Sequence, residues 1–187
     1  MQSRRGSDVQ RAAAAVHSGA LIAYATEGVF GLGCDPLNST ALQQLLDLKQ
    51  RDAGKGLIVI ASNRQQLEPL VGPVSANIEA KLNASWPGPV TWILPCRTDK
   101  VPAQLTGNFN TIATRVTAHP ITAALCDACD HALVSTSANI SGRPACTTAD
   151  QVAQCFANDL AYILDPPVGN LTGPTPIFDG ATGLQLR

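Results

Sequence analysis

Two cations in the first third of the chain, Lys49 and Arg51, have side chains that could jointly bind one phosphate group. They stand at the end of a predicted helix, where surface cations complement the helix dipole by on the order of a few tenths of a kcal/mol. Taken alone, the pair favours that surface role. The alternative is that the chain leaves the helix here and turns both cations toward one anion. A lysine point charge beside an arginine fork suits a polyphosphate.

Small polar side chains fill the segment from Ser135 to Gly142, directly after a predicted strand. Their hydroxyls could cap a turn by bonding the local backbone. They could equally form a pocket wall of neutral donors and acceptors for a base, a ribose or a phosphate. Composition does not decide between these two interpretations.

Arg115 lies inside a β-branched run, Thr111 to Val116, which predicts a strand. An unpaired cation facing the interior of a sheet would be costly. A bound carboxylate would offset that cost, and so would a structural aspartate or glutamate. The spacing of residues leaves both alternatives open.

Three glycines, Gly28, Gly31 and Gly33, follow the first predicted strand and indicate either positive φ or close approach of a ligand. Their G-x-x-G-x-G spacing differs from the dinucleotide-binding G-x-G-x-x-G. The segment Gly54-Lys55-Gly56 lacks the glycine and hydroxyl spacing of a Walker A loop. Neither standard phosphate cradle is therefore predicted.

Helices and strands alternate along the chain and must position these residues. Predicted helices begin at Ser7, at Ser39 or Thr40, and near Ser62, Ser75, Pro120 and Thr148. Predicted strands are Leu21 to Tyr24, Leu57 to Ile60, Val90 to Leu94, Thr111 to Val116, Ala132 to Thr136, Tyr162 to Leu164, Ile177 to Asp179 and Leu184 to Leu186. The order predicts one α/β layer structure, a single domain over residues 1–187. Ligands bind such sheets at the carboxyl ends of strands, and the loop from Pro166 to Pro176 is expected to close over a site.

The composition limits the classes of function. With 187 residues, 45% apolar and 14% charged, the chain is expected to be globular. A net charge of −1 argues against a generally basic nucleic-acid coat. No apolar run approaches the roughly 20 residues that cross a bilayer, so no membrane association is expected. The Arg4-Arg5 start lacks the apolar core of a secretion signal, so an intracellular, cytoplasmic protein is predicted.

The six cysteines are scattered and are predicted to be reduced. Cys126 and Cys129 form one CxxC without a second pair, and His131 follows too closely for a zinc finger. Buried small hydrophobes are the expected role of these thiols, and no protein metal site is predicted.

Five ordered segments together resemble the YrdC/TsaC family of threonylcarbamoyl-AMP synthases. They are Tyr24 to Asp35, Leu48 to Arg51, Trp86 to Thr91, Arg115 to Pro120 and Ser135 to Gly142. The similarity extends from about residue 10 to the C-terminus and matches the short, single-domain form. It implies an α/β fold with a twisted, open, mostly parallel or mixed sheet, flanking helices and a concave, positively lined cavity.

The resemblance also implies a reaction. L-Threonine, bicarbonate and ATP would give threonylcarbamoyl-AMP and pyrophosphate. A separate tRNA-threonylcarbamoyltransferase complex would then form N6-threonylcarbamoyladenosine at position 37 of ANN-decoding tRNAs. Mg²⁺ would arrive on the phosphates rather than in a protein cage.

Residue roles follow from the matched motifs. Lys49 and Arg51 match a K-x-R pair, implied to be catalytic and to bind the ATP phosphates. The implied ATP site also includes Ser137 and Asn139 of an S-x-N pair, with Ser141 and Thr91. Thr26 and Arg115 match positions associated with threonine, and Arg115 suits its carboxylate.

Several further positions carry expectations. Thr175 falls at a late motif of the family, although the chain has Thr175-Pro176 where Ser-Thr is commoner and Ala25 where Pro is usual. Glu27 is a candidate general base or a structural carboxylate. His119 and His131 are expected to be structural.

Two other functions compete with the synthase. Members of the family have been described as binders of tRNA or double-stranded RNA, and such binding would weaken steeply with salt. The second alternative is an enzyme that adenylates a carbamoyl group other than that of threonine. Whether Arg115 and Thr26 face a bound amino acid separates the two enzymes.

Overall fold

The computed structural model describes residues 4–156 and 158–187, whose ten strands form two five-stranded sheets. The first sheet contains, from edge to edge, β1 (Arg5–Gly6), β9 (Tyr162–Leu164), β2 (Ile22–Ala25), β3 (Phe30–Gly33) and β8 (Thr136–Ser137). The second contains β10 (Ile177–Asp179), β5 (Thr91–Pro95), β6 (Thr111–Val116), β4 (Ile58–Ala61) and β7 (Leu133–Val134).

Both sheets are mixed. The parallel pairs are β1 with β9, β9 with β2, β10 with β5, and β4 with β6. The other neighbours, β2 with β3, β3 with β8, β4 with β7, and β5 with β6, are antiparallel. The predicted α/β class with a mixed sheet is confirmed, but the strands divide between two sheets instead of forming one layer.

Six α-helices accompany these strands in the described residues: α1 (Val9–His17), α2 (Ser39–Lys49), α3 (Ala76–Ser85), α4 (Ala103–Thr106), α5 (Pro120–Cys129) and α6 (Ala149–Phe156). Short 3-10 helices span Ala53–Lys55 and Gln65–Leu67. The predicted start of α5 at Pro120 and the predicted Ser75 cap of α3 are confirmed.

Two predicted N-caps are wrong by one or two positions. Asp8, not Ser7, caps α1 by accepting a 3.0 Å hydrogen bond from Arg11 N. Asn38, rather than Ser39 or Thr40, caps α2 through Ala41 N at 3.0 Å. Neighbouring short polar side chains compete for the same free N–H groups, so sequence alone does not choose among them.

The predicted strand Ala132 to Thr136 is instead split between the two sheets. Val134, in β7, donates its N–H to Cys34 O at 3.0 Å, and Ser135 donates its N–H to Ile58 O at 2.8 Å. The chain then enters β8 in the other sheet. Ser135 is therefore the crossing point between the sheets.

The predicted strand Leu184 to Leu186 is reduced to a bridge between Phe178 and Gln185. Backbone bonds nevertheless hold this segment against β10, with Leu186 N donating to Ile177 O at 2.7 Å. The pairing places Arg187 beside the start of β10, where Ile177 N donates to its carbonyl at 3.2 Å.

The sequence predicts positive φ or close approach of a ligand for the glycine-rich segment, and part of that segment, Phe30–Gly33, forms β3. A Cβ on Gly28 would lie 2.1 Å from Gly173 O, and one on Gly33 would lie 2.3 Å from Val134 O. The close approach that excludes side chains is therefore made by the protein's own backbone.

One apolar core joins the two sheets. It includes Ala23 and Leu32 from the first sheet together with Val59 and Ile112 from the second. A second core cluster contains Cys126 and Cys129, and burial raises the pKa of the Cys129 thiol to about 12. All six cysteines are free thiols.

Within residues 4–156 and 158–187, no helix is long and apolar enough to cross a membrane. The same residues contain no group of three or more His, Cys, Asp or Glu side chains suited to a metal ion.

Candidate active site

A cleft with a cavity volume of about 70 Å³ lies between the two sheets. Three arginines line it: Arg51, Arg115 and Arg187. Hydroxyl groups contribute much of the remaining wall, from Thr26, Ser135, Thr136, Ser137 and Thr175. We refer to this space as the cleft.

Arg51 reaches the cleft because α2 ends in a left-handed turn. Gln50 has φ 49° and ψ 45°, and Arg51 N donates to Leu46 O at 3.0 Å. The guanidinium then donates from Nη2 to Gly56 O at 3.0 Å. The turn separates Arg51 from the helix surface, as the second interpretation of the Lys49–Arg51 pair requires.

Lys49 lies beneath the cleft wall rather than on the surface, so the surface interpretation is wrong. Its side chain is 2% exposed, and Nζ donates to Ser137 O, to Asn139 O at 2.8 Å and to Asn139 Oδ1 at 3.2 Å. An ammonium group has three N–H donors, and all are used here. Burial, followed by the nearby Arg51 charge, lowers the pKa of Lys49 to about 8.

The segment of small polar residues both caps itself and faces the cleft. Ser137 Oγ donates to Asn139 Oδ1 at 2.7 Å, and Asn139 Nδ2 donates to Arg143 O at 2.6 Å. Ser141 N donates to Lys49 O at 3.0 Å, whereas the Ser141 residue itself is exposed. Lys49 therefore fixes this segment from both its side chain and its carbonyl.

Arg115 is held on two sides and is 4% exposed. Nη1 donates to Thr175 Oγ1 at 2.7 Å and to Thr91 Oγ1 at 3.2 Å. Nη2 lies 3.3 Å from Glu27 Oε2. The carboxylate of Glu27 thus partly offsets the free-energy cost of burying the charge of Arg115. The guanidinium still lines the cleft.

Thr26 lines the cleft directly after β2. Its Oγ1 donates to Val29 O at 2.7 Å, in a turn that also joins Thr26 N to Val29 O at 3.1 Å. Because the hydroxyl proton is used, Thr26 offers a ligand the lone pairs of its oxygen.

The loop from Pro166 to Pro176 is attached to the same turn. Gly169 N donates to Thr26 O and Leu171 N to Glu27 O, both at 2.9 Å. The loop ends by presenting Thr175 to Arg115. It forms part of the cleft wall in this structure, where the sequence predicted a closing loop.

Arg187 is a cleft residue that the sequence motifs missed. Its Nη2 donates to Thr175 O at 2.9 Å, and partial burial followed by the charges of Arg115 and Arg51 lowers its pKa. The signal that could have found it was its position directly after a predicted strand, since strand ends were the expected place for ligand groups.

The two histidines singled out in the sequence are occupied by structural contacts. His119 pairs with Pro167 O at 3.2 Å through Nε2 and with Thr122 Oγ1 at 3.1 Å through Nδ1. His131 packs its ring against His17, with ring centroids 5.7 Å apart.

Charge and hydrogen bonding both indicate an anion site. Among the described residues, the buried side-chain polar atoms without a hydrogen-bond partner are two donors on cleft-lining arginines, Arg51 Nε and Arg115 Nε, and one acceptor beside Arg115, Glu27 Oε2. Unsatisfied buried groups are rare in proteins and concentrate where function requires them. Cations that repel one another across a cleft create a positive potential that attracts anions.

Comparisons with known proteins find matches over most of the chain. The family model Sua5_yciO_yrdC, described as "Telomere recombination", matches residues 14–184. A threonylcarbamoyl-AMP synthase of Nitrosococcus oceani is 50% identical over 179 residues, which is 96% of each chain. One of Halorhodospira halophila is 45% identical over 179 residues, covering 96% of this chain and 93% of that protein.

Solved structures show the same fold. The crystal structure of P. abyssi Sua5 complexed with L-threonine superposes with a TM-score of 0.86 and 33% identity, over 91% of this chain and 50% of that chain. This chain therefore spans about half the length of the Sua5 protein. E. coli YciO superposes with a TM-score of 0.78 and 23% identity over 91% of this chain and 82% of that one.

Proposed function

The chain belongs to the Sua5–YciO–YrdC family, and from that premise we infer that it is a threonylcarbamoyl-AMP synthase. It condenses L-threonine, bicarbonate and ATP into threonylcarbamoyl-AMP and releases pyrophosphate. The observation that carries this conclusion is the cleft with Arg51, Arg115 and Arg187, in a chain 50% identical over nearly its full length to a protein of that name.

The chemistry needs a site for several anions more than it needs a protein nucleophile. The amine of threonine first forms an N–C bond to give a carbamate, either with carbon dioxide and loss of one amine proton or with bicarbonate and loss of water. A carbamate oxygen then bonds to the α-phosphorus of ATP, and the bond from that phosphorus to the bridging oxygen breaks as pyrophosphate leaves. Repelling anions must be gathered and the developing charge stabilised, which is positioning and electrostatics.

Arg115 is assigned to the threonine carboxylate. Its guanidinium lines the cleft and is held in place by Thr175 and Glu27, so its orientation is fixed before a ligand arrives. Thr26 lies in the same wall and has oxygen lone pairs available to threonine.

Arg51 and Arg187 are assigned to the phosphates of ATP. Both line the cleft, and the pKa of each is lowered mainly by burial. A bound polyphosphate would relieve the repulsion that Arg187 experiences from Arg115 and Arg51. Lys49 contributes its charge from beneath Ser137 and orders the Ser137–Ser141 segment.

We assign Thr91 to positioning Arg115, whereas its motif implied binding of ATP. It is fully buried behind Arg115, and its Oγ1 lies 3.2 Å from both Arg115 Nη1 and Thr175 Oγ1. These contacts support positioning of Arg115 rather than binding of the nucleotide.

Mg²⁺ fits this site as a companion of the phosphates. The polar side chains of the cleft wall are cations and hydroxyls, and the neighbouring carboxylate of Glu27 is engaged by Arg115 and Thr117. Phosphate oxygens and water would supply the octahedral ligands that Mg²⁺ requires, with Ser137 Oγ within the same wall. The ion would neutralise phosphate charge.

The reaction also suggests a cellular setting. We propose that residues 1–187 act as one domain in the cytoplasm and that the product passes to a tRNA-threonylcarbamoyltransferase complex for modification of adenosine 37. Direct contact with tRNA or double-stranded RNA is a separate proposal, for which a steep loss of affinity with added salt is the expected behaviour.

The synthase activity is tested by incubating the purified protein with ATP, bicarbonate and one amino acid at a time, and by measuring pyrophosphate. We expect release that requires both threonine and bicarbonate, with threonylcarbamoyl-AMP detected by mass spectrometry. Serine, valine and a bicarbonate-free reaction are the controls. Absent release, or release independent of threonine, would contradict the proposed function.

A further inference from the structure

Glu27 is the carboxylate in contact with the cation cluster of the cleft, and its two oxygens have different surroundings. Oε1 accepts a hydrogen bond from Thr117 Oγ1 at 2.6 Å and one from Ala118 N at 3.3 Å. Oε2 lies 3.3 Å from Arg115 Nη2 and, within the described part of the chain, has no hydrogen-bond partner. One oxygen is anchored, and the other faces the guanidinium.

This arrangement does not suit a general base. A base must reach the proton that it abstracts within hydrogen-bond distance or through one water. The Glu27 residue is 8% exposed, and Oε2 is buried within the protein. The anchored oxygen is already occupied by two donors, so neither oxygen is presented to a substrate amine in the cleft.

Thr117, which anchors Glu27, lies directly after the strand that carries Arg115. Thr117 is 1% exposed and follows β6, which carries Arg115. Its Oγ1 also accepts a hydrogen bond from His119 N at 3.1 Å, so its position is fixed by the start of α5. Glu27, in turn, is held by the bond from Leu171 N to its carbonyl. The carboxylate is therefore held by residues in and directly after β6, and the Glu27 backbone is held by the loop from Pro166 to Pro176.

We propose that Glu27, anchored by Thr117, is a positioning residue that orients Arg115 for the threonine carboxylate. The inference rests on the proposed function. Thr91 and Thr175 hold Nη1, and Glu27 restrains the guanidinium at Nη2. Without the carboxylate, the planar group would be held at one nitrogen and could rotate, and misplaced binding groups lose much of their effect.

The test is steady-state pyrophosphate release at varied threonine, with ATP and bicarbonate saturating. Glu27→Gln keeps a carbonyl oxygen that can accept from Thr117 and Ala118. It replaces the charged oxygen beside Arg115 with an uncharged NH2 group. We expect the KM for threonine to rise about tenfold or more, the scale of one charge-assisted contact. The kcat at saturating threonine and the KM for ATP should stay within about threefold of wild type.

A second pair of variants tests the anchor. Thr117→Val removes the hydroxyl that fixes Oε1, and it should raise the KM for threonine several-fold in the same direction. Thr117→Ser restores a hydroxyl and should return the KM close to wild type. If thermal unfolding shows that Glu27→Gln does not fold, the two Thr117 variants test the proposal in its place.

Matched controls lie elsewhere in the chain. Glu79→Gln removes the carboxylate of an ion pair with Arg64 at 2.8 Å, and Thr114→Val removes a buried hydroxyl that donates to Trp92 O at 3.3 Å. Both should retain wild-type kinetics.

The outcomes separate cleanly. A raised threonine KM with preserved kcat, rescued by serine at position 117, supports the positioning role. A collapse of kcat with unchanged KM would make Glu27 a base and would contradict the positioning role. Wild-type kinetics in Glu27→Gln would also contradict it. If Glu27→Gln does not fold, wild-type kinetics in Thr117→Val would contradict it instead. Failure of the wild-type protein to release pyrophosphate with threonine would contradict the proposed function and this inference together.

Discussion

Lys49 and Arg51 are separated by one residue, yet their surroundings give them different tasks. Lys49 is buried and bonded to the backbone of the segment that forms the cleft wall. Arg51 lies in the wall itself and keeps a buried Nε without a partner among the described residues. The turn at Gln50 produces this difference, because it ends the helix between them.

Alanine substitutions should separate the two tasks. Both Lys49→Ala and Arg51→Ala should reduce turnover by about a hundredfold or more, because each removes a positive charge in or directly beneath the proposed phosphate site. Lys49→Ala should also lower the free energy of unfolding by about 2–3 kcal/mol, since it strands the carbonyls of Ser137 and Asn139. Arg51→Ala should lower it by about 1 kcal/mol or less.

Pyrophosphate release and urea unfolding measure these effects, with the exposed Lys100→Ala as control. The sequence alone predicts little stability change for either variant, and the burial of Lys49 alters that expectation. Equal stability of the two alanine variants would contradict the structural role of Lys49.

The individual residues of the site differ in how far sequence could predict them. Thr26, Arg51, Arg115 and Ser137 were found through motifs, and the structure brings them to one cleft. Arg187 has no motif around it, and its place depends on a backbone pairing with Ile177 that a local pattern cannot express. The partner of Arg115 also stayed open, because a strand pattern gives no distance to Glu27.

At the scale of elements, the cleft is shaped by backbone contacts that only glycine permits. The loop from Pro166 to Pro176 lies against the turn after β2, so close that a Cβ on Gly28 would lie 2.1 Å from Gly173 O. This contact sets how far the loop stands from the first sheet and hence where Thr175 meets Arg115.

Gly28→Ala should therefore displace the loop. Its Cβ would lie 2.1 Å from Gly173 O and 2.7 Å from Leu171 O, both backbone atoms. We expect a loss of about 1–3 kcal/mol in the free energy of unfolding, as for other overpacked sites. The KM for threonine should rise, because Thr175 moves away from Arg115.

Gly72→Ala is the matched control, since its Cβ would lie at an ordinary 3.4 Å from Pro95 Cβ. Urea unfolding and threonine kinetics measure the two variants. An unchanged threonine KM in a destabilised Gly28→Ala protein would show that the loop does not set the position of Thr175.

The elements themselves were predicted where one local pattern governs them. Thr111–Val116 and Ile177–Asp179 match their predicted bounds, and α5 begins at Pro120 as predicted, because β-branched runs and a proline start are local signals. The sequence did not predict β3, because two of its four residues are glycines, which do not give the alternation of apolar and polar side chains that indicates a strand. The split at Ser135 was missed because one run of apolar residues does not reveal that its two halves pair with different sheets.

At the scale of the whole molecule, charge is distributed unevenly although its sum is small. The net charge is −1, yet the cleft gathers three arginines, with Lys49 buried beneath it. A near-neutral surface with a positive cleft favours small anionic substrates over long-range attraction of nucleic acid.

The shared core of the two sheets predicts one cooperative unfolding transition. Apolar residues of both sheets pack together, and the chain crosses between them at Ser135. Fluorescence of Trp86 and Trp92 reports on one region, with Trp92 in β5 of the second sheet, whereas far-ultraviolet circular dichroism reports on the whole chain.

We expect the two urea midpoints to coincide within error, as small cooperative domains show. A fluorescence midpoint clearly below the dichroism midpoint would mean that the second sheet unfolds separately. ATP with threonine should raise both midpoints together, because ligand binding stabilises the folded state as a whole.

Thr175 and Arg187 both come from the segment after Pro174, whereas Thr26 is contributed near the beginning. By contrast, every described residue of the apolar core that joins the two sheets precedes Pro174. The interior and the substrate-binding wall are therefore supplied by different stretches of the chain. Undocking of β10 from β5 would open the binding cleft while leaving that interior in place.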